Sequence, residues 1–241
     1  MPFPSDLRGR NRQPEVMDQQ GLEDAEHHQA LNALRRINRL SRTDRSLWPL
    51  IRGYCQRHRD GGNSTPVRLL DIATGGGDLP VLLWKKAKRA GLNLEVAGCD
   101  RSETALEYAR AHARRENAEV AFFERDVIEQ GVPTEYHIRV SSLFLHHLSE
   151  DEALQFLRAL GNGGGLVLVD DLRRSVVGWL LAYSGVRLLS RSRVAHVDGP
   201  LSVEGAFTCE EARSLASRAG WDSFEVQARW PCRFLLVGGS S

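Results

Sequence analysis

The densest run of chemistry-bearing residues is Leu69-Leu70-Asp71-Ile72-Ala73-Thr74-Gly75-Gly76-Gly77-Asp78-Leu79-Pro80. An aliphatic run holds a carboxylate, three glycines follow, and Pro80 comes early in the next segment, so the stretch reads as strand, tight turn and helix start. Glycines at such a turn let a ligand approach the backbone at the carboxyl edge of a sheet. Asp71 adds a negative charge from which a nucleotide-phosphate site would gain nothing, and Pro80 stands where a dinucleotide-binding turn has its third glycine. A cationic ligand suits the turn better. Asp100, in Val96-Ala97-Gly98-Cys99-Asp100-Arg101-Ser102, comes 25 positions after Gly75, where a carboxylate can accept both hydroxyls of a ribose. Asp126, in Phe122-Phe123-Glu124-Arg125-Asp126-Val127, offers a carboxylate, and Val127 a backbone N–H, to the polar edge of an adenine. Each acid alone is an ordinary solvated strand-end residue; three at successive strand ends point to a nucleoside site. S-adenosylmethionine combines a nucleoside with an ammonium and a sulfonium and carries no phosphate, which matches this set of groups.

Three histidines are candidates for proton transfer: the pair in Ser141-Ser142-Leu143-Phe144-Leu145-His146-His147-Leu148, and His196 in Ala195-His196-Val197-Asp198-Gly199-Pro200. Histidine is the commonest general base near neutral pH. A structural role at a helix entrance stands beside that reading for His146 and His147, and His196 is equally open. Asp170-Asp171 offers either ligands or N-capping of the helix that follows. No carboxylate completes a recognisable ligand pattern around the histidines, so no metal is expected.

These groups need a sheet to place them. Short aliphatic or β-branched runs at Val67 to Ile72, Leu94 to Cys99, Val120 to Phe123, Ile138 to Ser142, Leu166 to Val169, Ser223 to Ala228 and Arg233 to Val237 alternate with helical patterns, the punctuation of βαβ units. Ser149-Glu150-Asp151-Glu152 and Thr208-Cys209-Glu210-Glu211 are capping boxes, and Gly161 and Gly220 mark helix ends. The last two strands are separated only by Arg229 to Cys232, which predicts an antiparallel hairpin. Residues 1–66 form a helical preface, with Ala30, Leu31, Leu34, Ile37 and Leu40, then Leu47, Leu50, Ile51 and Tyr54, at helical spacing. Within it, Pro14-Glu15-Val16-Met17-Asp18 reads either as a segment closing over the ligand, with Met17 as its apolar contact, or as a loose arm. Residues 67–241 are the sheet domain. Residues 172–207 are an insertion: an apolar helix from Val176 to Leu189 covering a pocket, then the polar loop bearing His196.

The chain from about Val67 to Val237 resembles the class I S-adenosylmethionine-dependent methyltransferases. The likeness rests on Asp71 to Gly77, Asp100, Asp126 and the stretch Ser141 to Leu148, and that last stretch resembles the small-molecule branch containing quinone-biosynthesis and phenolic-polyketide methyltransferases. The resemblance implies an α/β, Rossmann-like sheet of seven strands, ordered 3-2-1-4-5-7-6 and mostly parallel with strand 7 antiparallel. It carries an N-terminal helical lid and a helical insertion after strand 5. It implies S-adenosylmethionine as cofactor, bound by Asp71, Ala73, Gly75, Gly77, Asp100, Arg101, Asp126, Val127 and Ser142, and S-adenosylhomocysteine as product. The expected reaction is methylation of a small phenolic or polyketide-like acceptor, O-directed in preference to C-directed on a quinone precursor, with His147, His196 and His146 as candidate bases. An NAD-dependent oxidoreductase and a non-catalytic cofactor-binding protein are the other classes. His137 stands where strand four of the family commonly opens with aspartate.

Composition excludes more than it specifies. The 241 residues carry 32 Lys and Arg against 31 Asp and Glu, net +1, with no basic module for nucleic acid. Four scattered cysteines without a C-x-x-C pair suggest reduced thiols. The start lacks a signal-peptide core, and no run reaches the ~20 apolar residues of a membrane span. The expectations are a cytoplasmic monomer or homodimer without stable membrane insertion, and an apolar or aromatic small-molecule partner.

Overall fold

A computed structural model describes residues 7–14, 43–189 and 192–239. Met17 and the helical pattern from Ala30 to Leu40 lie outside the described residues.

Seven strands form one sheet in the order β3-β2-β1-β4-β5-β7-β6: β1 Val67–Ile72, β2 Leu94–Asp100, β3 Val120–Glu124, β4 Ile138–Ser142, β5 Leu166–Leu172, β6 Phe224–Arg229 and β7 Arg233–Gly238. All pair in parallel except β7, which runs antiparallel to both β5 and β6. Each expected strand is present, and β5 is longer than expected. The four central strands are buried on both faces, as a covered parallel sheet requires, so they read as aliphatic runs without alternation.

Helices cover both faces. In chain order these are α1 Thr43–Asp60, α2 Asp78–Arg89, α3 Glu103–Arg115, α4 Glu150–Gly161, α5 Val176–Leu189, α6 Arg193–Gly205 and α7 Cys209–Arg218, with a 3-10 turn at Leu145–His147. Leu47 and Ile51 of α1 pack with Leu83 of α2 against Leu69, Val96, Val140 and Leu235. Phe156, Leu157 and Leu160 of α4 and Leu215 of α7 pack on the opposite face against Leu70, Val167 and Phe234. Both capping boxes form as expected: the side chains of Ser149 and Thr208 accept from the amides of Glu152 and Glu211, whose carboxylates accept from the amides of the cap residues. Cys55 and Cys99 are buried free thiols, whereas Cys209 and Cys232 are half-buried. His137 lies just before β4, its Nδ1 accepting the Arg68 amide at 3.0 Å. That is the amino edge of the sheet, opposite the glycine turn.

Two expectations are corrected here. His196 is not in a loop: Ser192 caps α6 by accepting from Ala195 N, and the helix continues through Gly199 and Pro200 to Gly205. Packing overrides composition, because a Cβ on Gly199 would come within 2.8 Å of Val186 Cγ1, so glycine is what lets α6 lie close against α5. Asp170 and Asp171 do not cap α5. They belong to β5 and are buried, while Ser175 Oγ accepts from Gly178 N at 3.1 Å at the start of that helix.

Candidate functional site

The carboxyl ends of β1, β2 and β4 converge on the glycine turn. After Ile72 the backbone passes through left-handed conformations at Ala73 (φ 55), Gly75 (φ 51) and Gly77 (φ 73). Such conformations cost a residue with a Cβ about 1 to 2 kcal/mol, so Ala73 is held there by its surroundings. The turn is tied to β2 by Thr74 N donating to Cys99 O at 2.9 Å and by Gly75 N donating to Asp100 Oδ2 at 2.8 Å. The other oxygen, Asp100 Oδ1, accepts from Ser102 N at 3.0 Å. Two backbone amides thus orient the Asp100 carboxylate, and an ionised carboxylate retains further lone pairs for a ligand's hydroxyls.

Asp71 is only 2 % exposed, and its Oδ2 accepts from Thr74 Oγ1 at 2.6 Å. Burial pushes its carboxyl up to about 7, against the pull of the Thr74 hydrogen bond, and the nearby Asp100 charge raises it further. Burial also raises Asp100, against its amide bonds. A cationic ligand would relieve the cost of ionising these two buried carboxyls. Thr74 was not singled out from sequence, although its hydroxyl lies three residues from Asp71 in the same motif.

Tight packing under the turn explains the small residues. A Cβ on Gly77 would approach Ala109 Cβ to 2.8 Å and Phe122 to 2.9 Å, and one on Gly98 would meet Thr74 Oγ1 at 2.9 Å. Around Gly75 nothing lies within 4 Å of such an atom, so the upper side of the turn has room for a ligand. Pro80 is buried in the first turn of α2. Arg101 is exposed beside Asp100. Asp126 closes its own turn: Oδ1 accepts from Ile128 N at 2.9 Å, and Val127 is buried against the core.

Beyond β4 the chain turns at Leu143 (φ 58) into the 3-10 turn carrying His146 and His147, whose rings lie 4.2 Å apart. His146 is buried, and its Nδ1 lies 2.7 Å from Asp171 Oδ1 while its amide donates to Asp171 Oδ2 at 3.2 Å. Burial alone would raise Asp171, but the charge and hydrogen bond of His146 and the charge of Arg233 hold it below the ordinary carboxylate value. Through this contact Asp171 orients the His146 ring. Next to it, Arg233 Nη2 donates to Asp170 Oδ2 at 2.7 Å and to Ser142 Oγ at 3.2 Å, so Ser142 is part of a buried ion-pair network. His196 is not brought to this pair: it lies nine residues before Gly205, the end of α6 that reaches His146 O, or about 13 Å along the helix.

Residues 7–14 form a strap that locks this corner. Arg10 donates through Nη2 to His146 O at 2.9 Å and to Leu148 O at 2.5 Å, and through Nε to Gly205 O at 2.6 Å. Arg12 Nη1 reaches His147 O at 2.8 Å. Asn11 and Trp179 both donate to the Glu204 carboxylate. Nothing in the sequence marked these arginines, whose partners are more than 130 residues away.

Residues 69–164, which contain the glycine turn, Asp100, Asp126 and both adjacent histidines, match the family model described as "Methyltransferase domain". Over these residues the chain is similar to methyltransferase domains. Over 108 residues, 44% of this chain and 47% of the relative, the sequence is 33% identical to the demethylmenaquinone methyltransferase of Thermus thermophilus; the chain thus matches about half the length of that relative. Among solved structures, the S-adenosylmethionine-dependent methyltransferase SibL in its apo form superposes with a TM-score of 0.60 at 20% identity, covering 97% of this chain and 64% of that one. PigF with SAH gives 0.52 at 18% identity, covering 73% and 50%. These superpositions and the strand order give the chain the fold of the class I methyltransferases.

Proposed function

We propose that the protein is an S-adenosylmethionine-dependent methyltransferase acting on a small phenolic or polyketide-like hydroxyl, with S-adenosylhomocysteine as product. The observation that carries this reading is the juxtaposition of two sites at neighbouring strand ends. One is a glycine turn lined by Asp71 and Asp100, and the other is a buried His146–Asp171 pair; β1 and β4 lie side by side, with Ile72 opposite Ser141. The chemistry of the turn fits the cofactor: carboxylates where an ammonium and a ribose would sit, and an open face over Gly75.

In this reading Asp100 accepts the ribose hydroxyls, and Asp71 with the carbonyl of Ala73 faces the cationic end. The turn from Gly75 to Gly77 admits the ligand's body. Asp126, Val127 and Arg101 border the adenine side, and Ser142 the exit toward the acceptor. Bound S-adenosylmethionine supplies an electrophilic methyl group on a good leaving group. What the chain must add is orientation, exclusion of water and removal of the hydroxyl proton. His146 takes that proton, Asp171 positions the ring and balances the charge that develops, and His147 stacks beside it. His196 lines the α6 wall of the acceptor pocket rather than serving as the base, and the 172–207 insertion roofs that pocket.

The test is a methyl-transfer assay over a panel of phenols. His146→Ala should lower kcat by roughly 10²- to 10⁴-fold, the usual contribution of a general base. Asp171→Asn should also move the acid limb of the pH–rate profile, which a purely structural loss would not do. Full activity of His146→Ala with an unchanged profile would overturn the assignment. A C-methylated product would redirect the reading to a quinone precursor; the Thermus relative is named as a demethylmenaquinone methyltransferase.

A further inference from the structure

Helix α5 is apolar on two faces, and only one is buried among the described residues. Trp179 and Val186 are buried; Trp179 stacks on Tyr183 at 5.2 Å and donates to Glu204. On the other side Val176, Val177, Leu180, Leu181 and Leu188 are 57, 61, 49, 51 and 85% exposed. At 100° per residue these five positions fall within an arc of about 140°, which also holds the exposed Ser184 and Arg187. Trp230, 79% exposed, extends this face. Its turn between β6 and β7 abuts the start of α5: Arg173 N donates to Cys232 O at 2.8 Å, and a Cβ on Gly178 would lie 3.1 Å from Cys232 Cβ.

Charge distinguishes this surface from the rest of the molecule. Across the chain acids and bases nearly cancel, 31 against 32, yet no Asp or Glu occurs from Leu172 to Val197. The stretch carries exposed Arg187, held against the Tyr183 ring at 3.5 Å at the edge of the stripe, and exposed Arg193 at the start of α6. An exposed apolar helix face with an exposed tryptophan beside it, arginines nearby and no carboxylate in the segment suits the headgroup region of an anionic bilayer. No described helix is long and apolar enough to cross a membrane.

We infer that α5, with Trp230, is a docking surface for an anionic lipid bilayer, with the helix lying in the headgroup plane, its outer stripe in the acyl boundary and Arg187 and Arg193 against lipid phosphates. The inference does not depend on methyl transfer. If that reading holds too, the insertion would be both roof of the acceptor pocket and contact with the phase from which an apolar acceptor arrives.

The test is co-sedimentation of the full chain with sucrose-loaded vesicles of phosphatidylcholine, with and without one third phosphatidylglycerol. Binding to the anionic vesicles, weakened by salt, is expected. Leu180→Asp/Leu181→Asp should reduce partitioning roughly tenfold or more, and Arg187→Glu, which leaves the stripe intact, should weaken binding only to anionic vesicles. All three changed positions are exposed, and unchanged circular dichroism and melting temperature would verify that the variants fold. No partitioning, equal partitioning of the double variant, or equal binding to neutral vesicles would overturn the proposal. So would a dimer in solution that the double variant dissociates, without vesicle binding, since the stripe would then be covered by a second copy.

Discussion

Replacing Asp71 by asparagine should stabilise the ligand-free protein above neutral pH while weakening its hold on a cationic cofactor. The carboxyl is buried and raised from its ordinary 3.8 to about 7, so the folded state holds a proton that the unfolded chain has already released. Where the folded state binds more protons, stability falls as pH rises, here from about 4 to about 7, and levels off beyond. With 1.36 kcal/mol for each pH unit between the two values, the charged carboxylate costs the fold up to about 4 kcal/mol at pH 8. Asparagine cannot ionise, and its amide oxygen can still accept from Thr74 Oγ1, now at 2.6 Å from the carboxylate. Urea denaturation of both proteins from pH 5 to pH 8 reads the difference directly. The stability gap should widen in favour of Asp71→Asn by about 3 kcal/mol between pH 5 and pH 8. A gap independent of pH, or a variant less stable throughout, would refute the argument that Asp71 is buried at a cost to the empty protein.

Two further substitutions probe packing under and behind the site. Gly77→Ala combines a left-handed φ of 73 with contacts of 2.8 and 2.9 Å to Ala109 and Phe122. It should cost about 2 to 5 kcal/mol of unfolding free energy. Gly91→Ala, at φ 62 with nothing nearby, should cost only the backbone share of about 1 to 2 kcal/mol; equal losses would show that the crowding at Gly77 relaxes freely. Arg139 is fully buried in β4, its guanidinium makes no hydrogen bond among the described residues, and burial lowers its pKa. Arg139→Leu should therefore leave the fold equally stable or raise its stability by about 1 to 4 kcal/mol; a loss of several kcal/mol on urea denaturation would mean that the cation has a partner.

How much of this was legible in the chain depended on how local the causes are. Strand positions followed from short aliphatic runs, and the capping boxes from side chains three residues apart, so β1, β4, α4 and α7 match their sequence signals closely. The glycine turn and Asp100 were readable because strand ends in a parallel sheet converge on one edge whatever the loops do. His196 was misplaced because Asp198-Gly199-Pro200 has the composition of a turn, and only the approach of Val186 from another helix explains that glycine. The doublet Asp170-Asp171 was ambiguous for a similar reason: its partners, His146 and Arg233, lie 25 and 63 residues away, and nothing local says which carboxylate meets which base. The Arg10 strap gave no local signal, since an arginine that donates to distant carbonyls looks in sequence like any surface arginine.

The most direct test of the central claim is calorimetric titration of the protein with S-adenosylhomocysteine, with NADH as a parallel ligand and Asp100→Ala as the variant. The account predicts binding of S-adenosylhomocysteine alone, weakened in Asp100→Ala by loss of hydrogen bonds to a charged acceptor, about 1.5 to 3 kcal/mol each. No binding, a preference for NADH, or an unchanged affinity in Asp100→Ala would contradict the placement of the nucleoside at the glycine turn and the function built on it.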